Sequence, residues 1–290
     1  MPTTLIEPSE LAAHLADPEW AIIDCRFDLA RPEWGAHAWS QGHIPHALYA
    51  NLDHELSGPR SPATGRHPLP QPAALAATFG RFGIDGSVQV ISYDQDSGVF
   101  AARLWWLLRW LGHRKVAVLN GGFAAWQRAG LPVSTTAETR VARRFTPAAD
   151  ASMLVSGPEV AAALDAGAFT SGAAVLVDAR SAARFAGENE TIDAVAGHVP
   201  GARNHPFSAN HDAQGRLLRA AELRRAWEKT LRGAPVQHAI AMCGSGVTAC
   251  HNLLALEVAG LSGARLYTGS WSEWIRDPAH AIARGPETAG

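Results

Sequence analysis

Short apolar runs alternate along this chain with longer segments in which apolar residues recur every third or fourth position. WAIID at 20–24, AVLVD at 174–178, VQHAIAM at 236–242 and ARLY at 264–267 have the length and branched apolar content of buried strands. GPEVAAALDAG at 157–167, AAELRRAWEKTL at 220–231 and VTACHNLLALEVAG at 247–260 carry the period of helices. Parallel strands need crossover connections, and helices set between strands supply them. The alternation therefore predicts an α/β fold built on a parallel sheet flanked by helices.

The pattern is written twice. WAIIDCR at 20–26 resembles AVLVDAR at 174–180, and GHIPHA at 42–47 resembles GHVPGA at 197–202. VISYDQDSGVFAARL, beginning at Val90, resembles AIAMCGSGVTACHNL, beginning at Ala239, and NGGFAAW at 120–126 resembles TGSWSEW at 268–274. Four matches in one order, about 150 residues apart, mark a tandem duplication. At 290 residues the chain also exceeds what one core ordinarily serves. The stretch 134–152 lacks apolar period and reads as the linker, so the domains are expected at 1–140 and 152–290.

Hydrophobic residues make up 47% and charged ones 18%, the profile of a globular protein. Lys and Arg number 25 against 27 Asp and Glu, and the basic residues are scattered, which argues against a surface that tracks nucleic acid. The start has neither a basic nor an apolar signal region, and GVFAARLWWLLRWLG is interrupted by Arg103 and Arg109. No leader, no membrane span and a cytoplasmic location are expected. Cys25, Cys243 and Cys250 are too few and too irregular for a disulfide framework or a CxxC zinc site. No metal and no organic cofactor are expected either.

The strand AIAM runs into Cys243, Gly244, Ser245, Gly246 and Val247, and a helix is expected to begin at about Val247. Ligands of open α/β folds settle at such strand ends. Two glycines let the backbone curl, so that its N–H groups converge on one point beside a helix N-terminus. That nest suits an anionic sulfur, either a thiolate or the outer sulfur of a persulfide. The alternative is an inert core cysteine, which is how Cys25 and Cys250 are read. In the first copy the same turn reads Tyr93-Asp94-Gln95-Asp96-Ser97-Gly98, one residue longer and without a thiol. Asp94 stands in the nucleophile's place and cannot accept sulfur, so the first domain is expected to be catalytically silent and to form a wall of the site.

With these motifs, together with GRHPLP at 65–70, the chain resembles the rhodanese superfamily, specifically the tandem-domain thiosulfate and 3-mercaptopyruvate sulfurtransferases. The resemblance spans roughly residues 5–285. It implies two tandem rhodanese-like domains and a persulfide relay on Cys243, from a small-molecule donor to a thiol acceptor such as thioredoxin, or to cyanide. The uncharged CGSGV loop resembles the 3-mercaptopyruvate branch; thiosulfate is the alternative donor. In that branch Ser245 would bond near the reacting sulfur or carbonyl, or else merely cap the following helix. Gly244, Gly246, Val247 and Thr248 would line the donor's pocket.

Arg184 matches the arginine that grips the donor's anion, while Arg180 reads as the structural partner of Asp178. A second arginine expected just upstream of the second Gly-His motif is absent, and the stretch 188–193 is acidic instead. His43 matches a proton-transferring histidine, with Glu33 as a candidate to orient it; alternatively it supports a turn, as His198 would in the second copy. Arg66 and His67 are expected to line the cleft between domains or to serve only the local conformation. A cysteine phosphatase would need an arginine six residues after the nucleophile, where Ala249 stands. A non-catalytic sulfur-sensing or binding module is the remaining rival.

Overall fold

Each copy of the repeat forms a five-stranded, wholly parallel sheet in the computed structural model, which describes residues 1–286. The first comprises β1 (Leu5–Ile6), β2 (Trp20–Asp24), β3 (Leu48–Tyr49), β4 (Gln89–Tyr93) and β5 (Val116–Leu119), in the order β1-β5-β4-β2-β3. The second comprises β6 (Leu154–Val155), β7 (Val175–Asp178), β8 (Arg203–Asn204), β9 (Ala239–Met242) and β10 (Arg265–Tyr267), in the equivalent order β6-β10-β9-β7-β8. Every residue of β2, β4, β7 and β9 is buried, as strands covered on both faces must be. VQHAIAM splits: Val236–His238 stays outside the sheet as a 3₁₀ turn, because Gln237 is polar and exposed and burial begins only at Ala239.

The chain divides into two units. The first holds Met1–Gly58, Pro70–Asp150 and His211–Leu217; the second holds Pro59–Leu69, Ala151–Asn210 and the chain from Leu218 onward. Residues 141–150 thus join the first unit although they have no apolar period. They are fastened through the backbone instead, with Arg143 N–H on Gly80 O, Ala148 N–H on Leu111 O and Asp150 N–H on Trp110 O. Phe145 adds an edge contact to Phe79. The apolar stretch around Ala101–Trp110 is a helix buried on nearly every side, Arg103 included. Among the described residues no helix is long and apolar enough to cross a membrane.

The duplication extends to individual bonds. Arg26 chelates Asp24 and reaches Gly42 O at 2.7 Å; Arg180 chelates Asp178 and reaches Gly197 O at 2.7 Å. Each guanidinium lies over an aromatic ring, Phe123 in the first unit and Trp271 in the second. Arg180 is therefore the structural partner that its spacing suggests. A buried pair of this kind cannot lose one member without leaving an uncompensated charge.

Asp94 fills the end of β4 with its own side chain. Oδ1 accepts from the N–H of Gly98 (2.9 Å) and Asp96 (3.3 Å), and Oδ2 from Phe100 (2.8 Å) and Ala101 (3.4 Å). Burial pushes this carboxyl up to about 6 against the pull of those N–H groups. An unfolded chain releases the proton near pH 3.8. Between the two values the folded state holds more protons, so stability falls as pH rises through the window, and ionised Asp94 costs about 3 kcal/mol at pH 7. Urea unfolding of Asp94→Asn between pH 4 and pH 7 should lack this component, whatever the variant's absolute stability. An unaltered pH slope would show that Asp94 does not carry it.

Candidate active site

Cys243 follows β9 directly, and the helix Thr248–Val258 begins after a tight turn. The turn depends on glycine. Gly246 has φ +78, and a β-carbon there would sit 2.4 Å from Thr268 O. This conformation aims backbone donors at the sulfur: Gly246 N–H reaches Sγ at 3.1 Å and Ser245 N–H at 3.4 Å. Negative charge on that sulfur would be met by the positive ends of two peptide dipoles. Val247 is buried at the cap of the helix, Thr248 is partly exposed, and Cys250 lies inside with Sγ on Gly246 O at 3.2 Å. Cys25 is remote from this loop in sequence and buried in the first unit, where burial and then the charges of Asp24 and Asp94 push its thiol well up, so it is a poor nucleophile.

The loop is clamped from behind by the segment after β10. Ser270 Oγ accepts the N–H of Cys243 at 3.0 Å and donates to Tyr267 O at 2.9 Å. Trp271 N–H and Ser272 N–H hold the carbonyls of Cys243 and Gly244. In the first unit Phe123 and Ala124 hold Asp94 O and Gln95 O in the same way. One difference between the copies bears on the clamp: Ser270 sits at φ +54, where its counterpart Gly122 has φ +56. A non-glycine residue is strained there by about 1 kcal/mol. The hydroxyl's grip on Cys243 N–H compensates. Sequence reasoning passed over Ser270; the difference between NGGFAAW and TGSWSEW was the available signal.

Segment 59–69 belongs to the second unit and brings two groups to the loop. His67 Nδ1 lies 2.7 Å from Ser245 Oγ, with both residues buried. Ser245 thus spends its hydroxyl on His67, and among the described residues no side chain caps the helix that follows. Arg66 is anchored by its own N–H on Ser272 Oγ at 2.9 Å, and Gly65 packs so closely on Gly269 that a β-carbon would lie 2.5 Å from its carbonyl oxygen.

His43 differs from the expectation of proton transfer. It is buried in the first unit with Nδ1 on Trp39 O (2.8 Å) and Nε2 on Thr136 O (3.1 Å), and its backbone pairs with Ser134. His198 repeats this in the second unit: Nδ1 lies on Phe185 O, the ring is stacked on Phe185, and the backbone pairs with Ala283. Both copies use the Gly-His histidine alike, a placement that fits the turn-supporting alternative for His43. Glu33, its candidate orienter, has its backbone carbonyl on His37 N–H at the start of the helix Trp34–Gln41.

The acidic stretch turns out to organise the arginines. Glu190 takes Arg184 Nε on both oxygens (3.1 and 3.0 Å) and lies 3.4 Å from Arg180. Burial pushes its carboxyl up, but hydrogen bonds from Arg184 and the N–H groups of Asp193 and Ile192 outweigh this and hold it below the usual carboxylate range. Asp193 bridges Arg66 and Arg184, the latter at 2.9 Å. The point where a β-carbon on Gly244 would sit is 3.0 Å from Arg66 Nη2 and 3.5 Å from Arg184 Nη2. Both guanidiniums therefore face the loop one residue from Cys243. Arg66 supplies spatially the second cation that 188–193 lacks, which no reading of that stretch alone could reveal.

The sequence profile of the rhodanese-like domain matches the chain twice, over residues 7–129 and 158–277. A probable 3-mercaptopyruvate sulfurtransferase of Pseudomonas aeruginosa is 47% identical over 283 residues, 97% of this chain and 98% of that protein. A putative thiosulfate sulfurtransferase of Mycobacterium tuberculosis is 38% identical over 287 residues, 97% of each chain. The solved structure of 3-mercaptopyruvate sulfurtransferase from Leishmania major matches with a TM-score of 0.81 at 33% identity, over 94% of this chain and 74% of that one.

Proposed function

The chain belongs to the rhodanese-like family, and from that premise we propose that it moves sulfur from 3-mercaptopyruvate, through a persulfide on Cys243, to a thiol such as thioredoxin or to cyanide. The observation that carries this reading is the pair of backbone N–H groups on Cys243 Sγ. Arg184 and Arg66 hold the donor's carboxylate over Gly244. The Cys243 thiolate attacks the donor sulfur, an S–S bond forms, and the C–S bond breaks with its electron pair passing to the carbon as pyruvate enolate. The donor thiol's proton ends on that carbon, giving pyruvate and leaving the persulfide as an anion in the nest. Ser245 and His67 relay the proton; with its own proton on Nε2, His67 accepts from the Ser245 hydroxyl. An acceptor thiolate or cyanide then takes the outer sulfur and restores Cys243.

Asp94 leaves the first unit without a nucleophile, and that unit's role is structural in this reading. The three free cysteines suit a reducing compartment, which supports a cytoplasmic location in this reading. Thiosulfate is the second reading, favoured by the pairing of two guanidiniums beside Gly244. Asp193 offsets part of their charge, and thiosulfate leaves as sulfite without using a proton relay. Side-by-side kcat/KM measurements should favour 3-mercaptopyruvate by at least about tenfold, on the order of 1.4 kcal/mol. Equal or greater efficiency with thiosulfate would overturn the donor assignment and leave the persulfide mechanism intact.

A further inference from the structure

The guanidiniums of Arg66, Arg180 and Arg184 form one ion-pair network with the carboxylates of Asp178, Glu190 and Asp193, and Arg66, Arg184 and Asp193 bring it to Gly244. Charge is balanced before any donor arrives. Two of the carboxylates are committed. Asp178 chelates Arg180 as Asp24 chelates Arg26, and Glu190 is tied down by Arg184 Nε and the N–H groups of Ile192 and Asp193. Asp193 is placed otherwise. Its oxygens are divided between Arg66 and Arg184, and Oδ2 lies 3.6 Å from the β-carbon position of Gly244, in the space the two Nη2 groups flank. Arg66 Nε is buried and has no hydrogen-bond partner among the described residues, so this guanidinium is not saturated by its protein contacts.

We infer that Asp193 is an internal stand-in for the donor's oxyanion: its carboxylate occupies the Arg66–Arg184 pair, and a donor binds there by displacing it. The inference rests on the reading of these arginines as donor anchors. It also assigns specificity. A singly charged carboxylate replaces Asp193 charge for charge, whereas a dianion brings a surplus negative charge close to the displaced Asp193. Asp193 therefore biases the site toward monoanionic donors, a bias that an uncharged side chain of the same shape would remove.

The test is Asp193→Asn, with Asp193→Ala as the second variant should the first melt early. Steady-state kinetics should show KM for thiosulfate falling by about tenfold, the scale of one charge-assisted hydrogen bond, and KM for 3-mercaptopyruvate falling less. Calorimetric titration of sulfate into Cys243→Ser and into Cys243→Ser/Asp193→Asn should show tighter binding in the double variant by a similar factor. Adding Arg66→Gln to the double variant should reverse that gain. Weaker or unchanged sulfate binding without Asp193's charge overturns the inference and makes Asp193 a spacer that orients the arginines. Because sulfate binding needs no turnover, it tests the exchange even if the sulfur-transfer reading itself fails, which would show instead as no persulfide on wild-type Cys243 with either donor.

Discussion

Cys243→Ser is expected to transfer no sulfur, losing at least about 10³-fold in kcat/KM with either donor, the scale on which removing a nucleophile acts. A serine hydroxyl is close to the thiol in size, and its oxygen can accept the N–H groups of Ser245 and Gly246 that now point at Sγ. The loop and its clamp by Ser270 do not depend on sulfur, so the variant's melting temperature should stay within a few degrees of wild type. Mass spectrometry after donor treatment should show one added sulfur on the wild type, removable by cyanide, and none on the variant. Cys25→Ser and Cys250→Ser should keep most activity: the first lies in the other unit, and a serine at 250 can still reach Gly246 O. Turnover by Cys243→Ser would mean that the nucleophile is elsewhere.

His67→Asn should lower kcat with 3-mercaptopyruvate by about 10²-fold, the lower end of what a positioned acid–base group contributes. The cause is specific. Loss of pyruvate requires a proton at carbon, and in the proposed mechanism the Ser245–His67 contact at 2.7 Å carries it. Sulfite leaves thiosulfate as a stable anion, so the same variant should lose far less activity with that donor. The split between donors separates proton relay from simple misfolding, which would depress both. His43→Asn should show no such split, because His43 is spent on Trp39 O and Thr136 O. A donor-selective loss in His43→Asn, with none in His67→Asn, would return the role to His43.

Local order was legible because it rests on short-range chemistry. The repeated apolar runs could only be central strands of parallel sheets, and glycines on either side of Ser245 could only mean a tight turn after Cys243. The Asp178–Arg180 chelate follows from spacing, since a residue two positions past a strand end can fold back on its carboxylate, and Asp24–Arg26 repeats it. The same holds for the missing thiol at Asp94, which its place in the repeat announces; that its side chain fills the turn is seen only in the structure.

Long-range pairing decided the rest. His67 and Ser245 stand 178 positions apart, and Arg66 and Asp193 stand 127 apart. No periodicity links them, so the expectation of proton transfer went to His43, carried by its motif, while it is His67 that packs on Ser245 in space. Segment 59–69 lies inside the first repeat by sequence and joins the second unit by packing, as Gly65 against Gly269 shows. The acidic stretch 188–193 looked like a lost cation because charge along a chain says nothing of its partners. Folding sets Asp193 against two arginines drawn from separate segments. The sequence by itself determined the strands, the turn and the thiol, whose causes are local. Which cations, which histidine and which hydroxyl surround that thiol was decided only by tertiary structure, because hydrogen bonds and charge pairs act over a few ångströms in space whatever their separation along the chain.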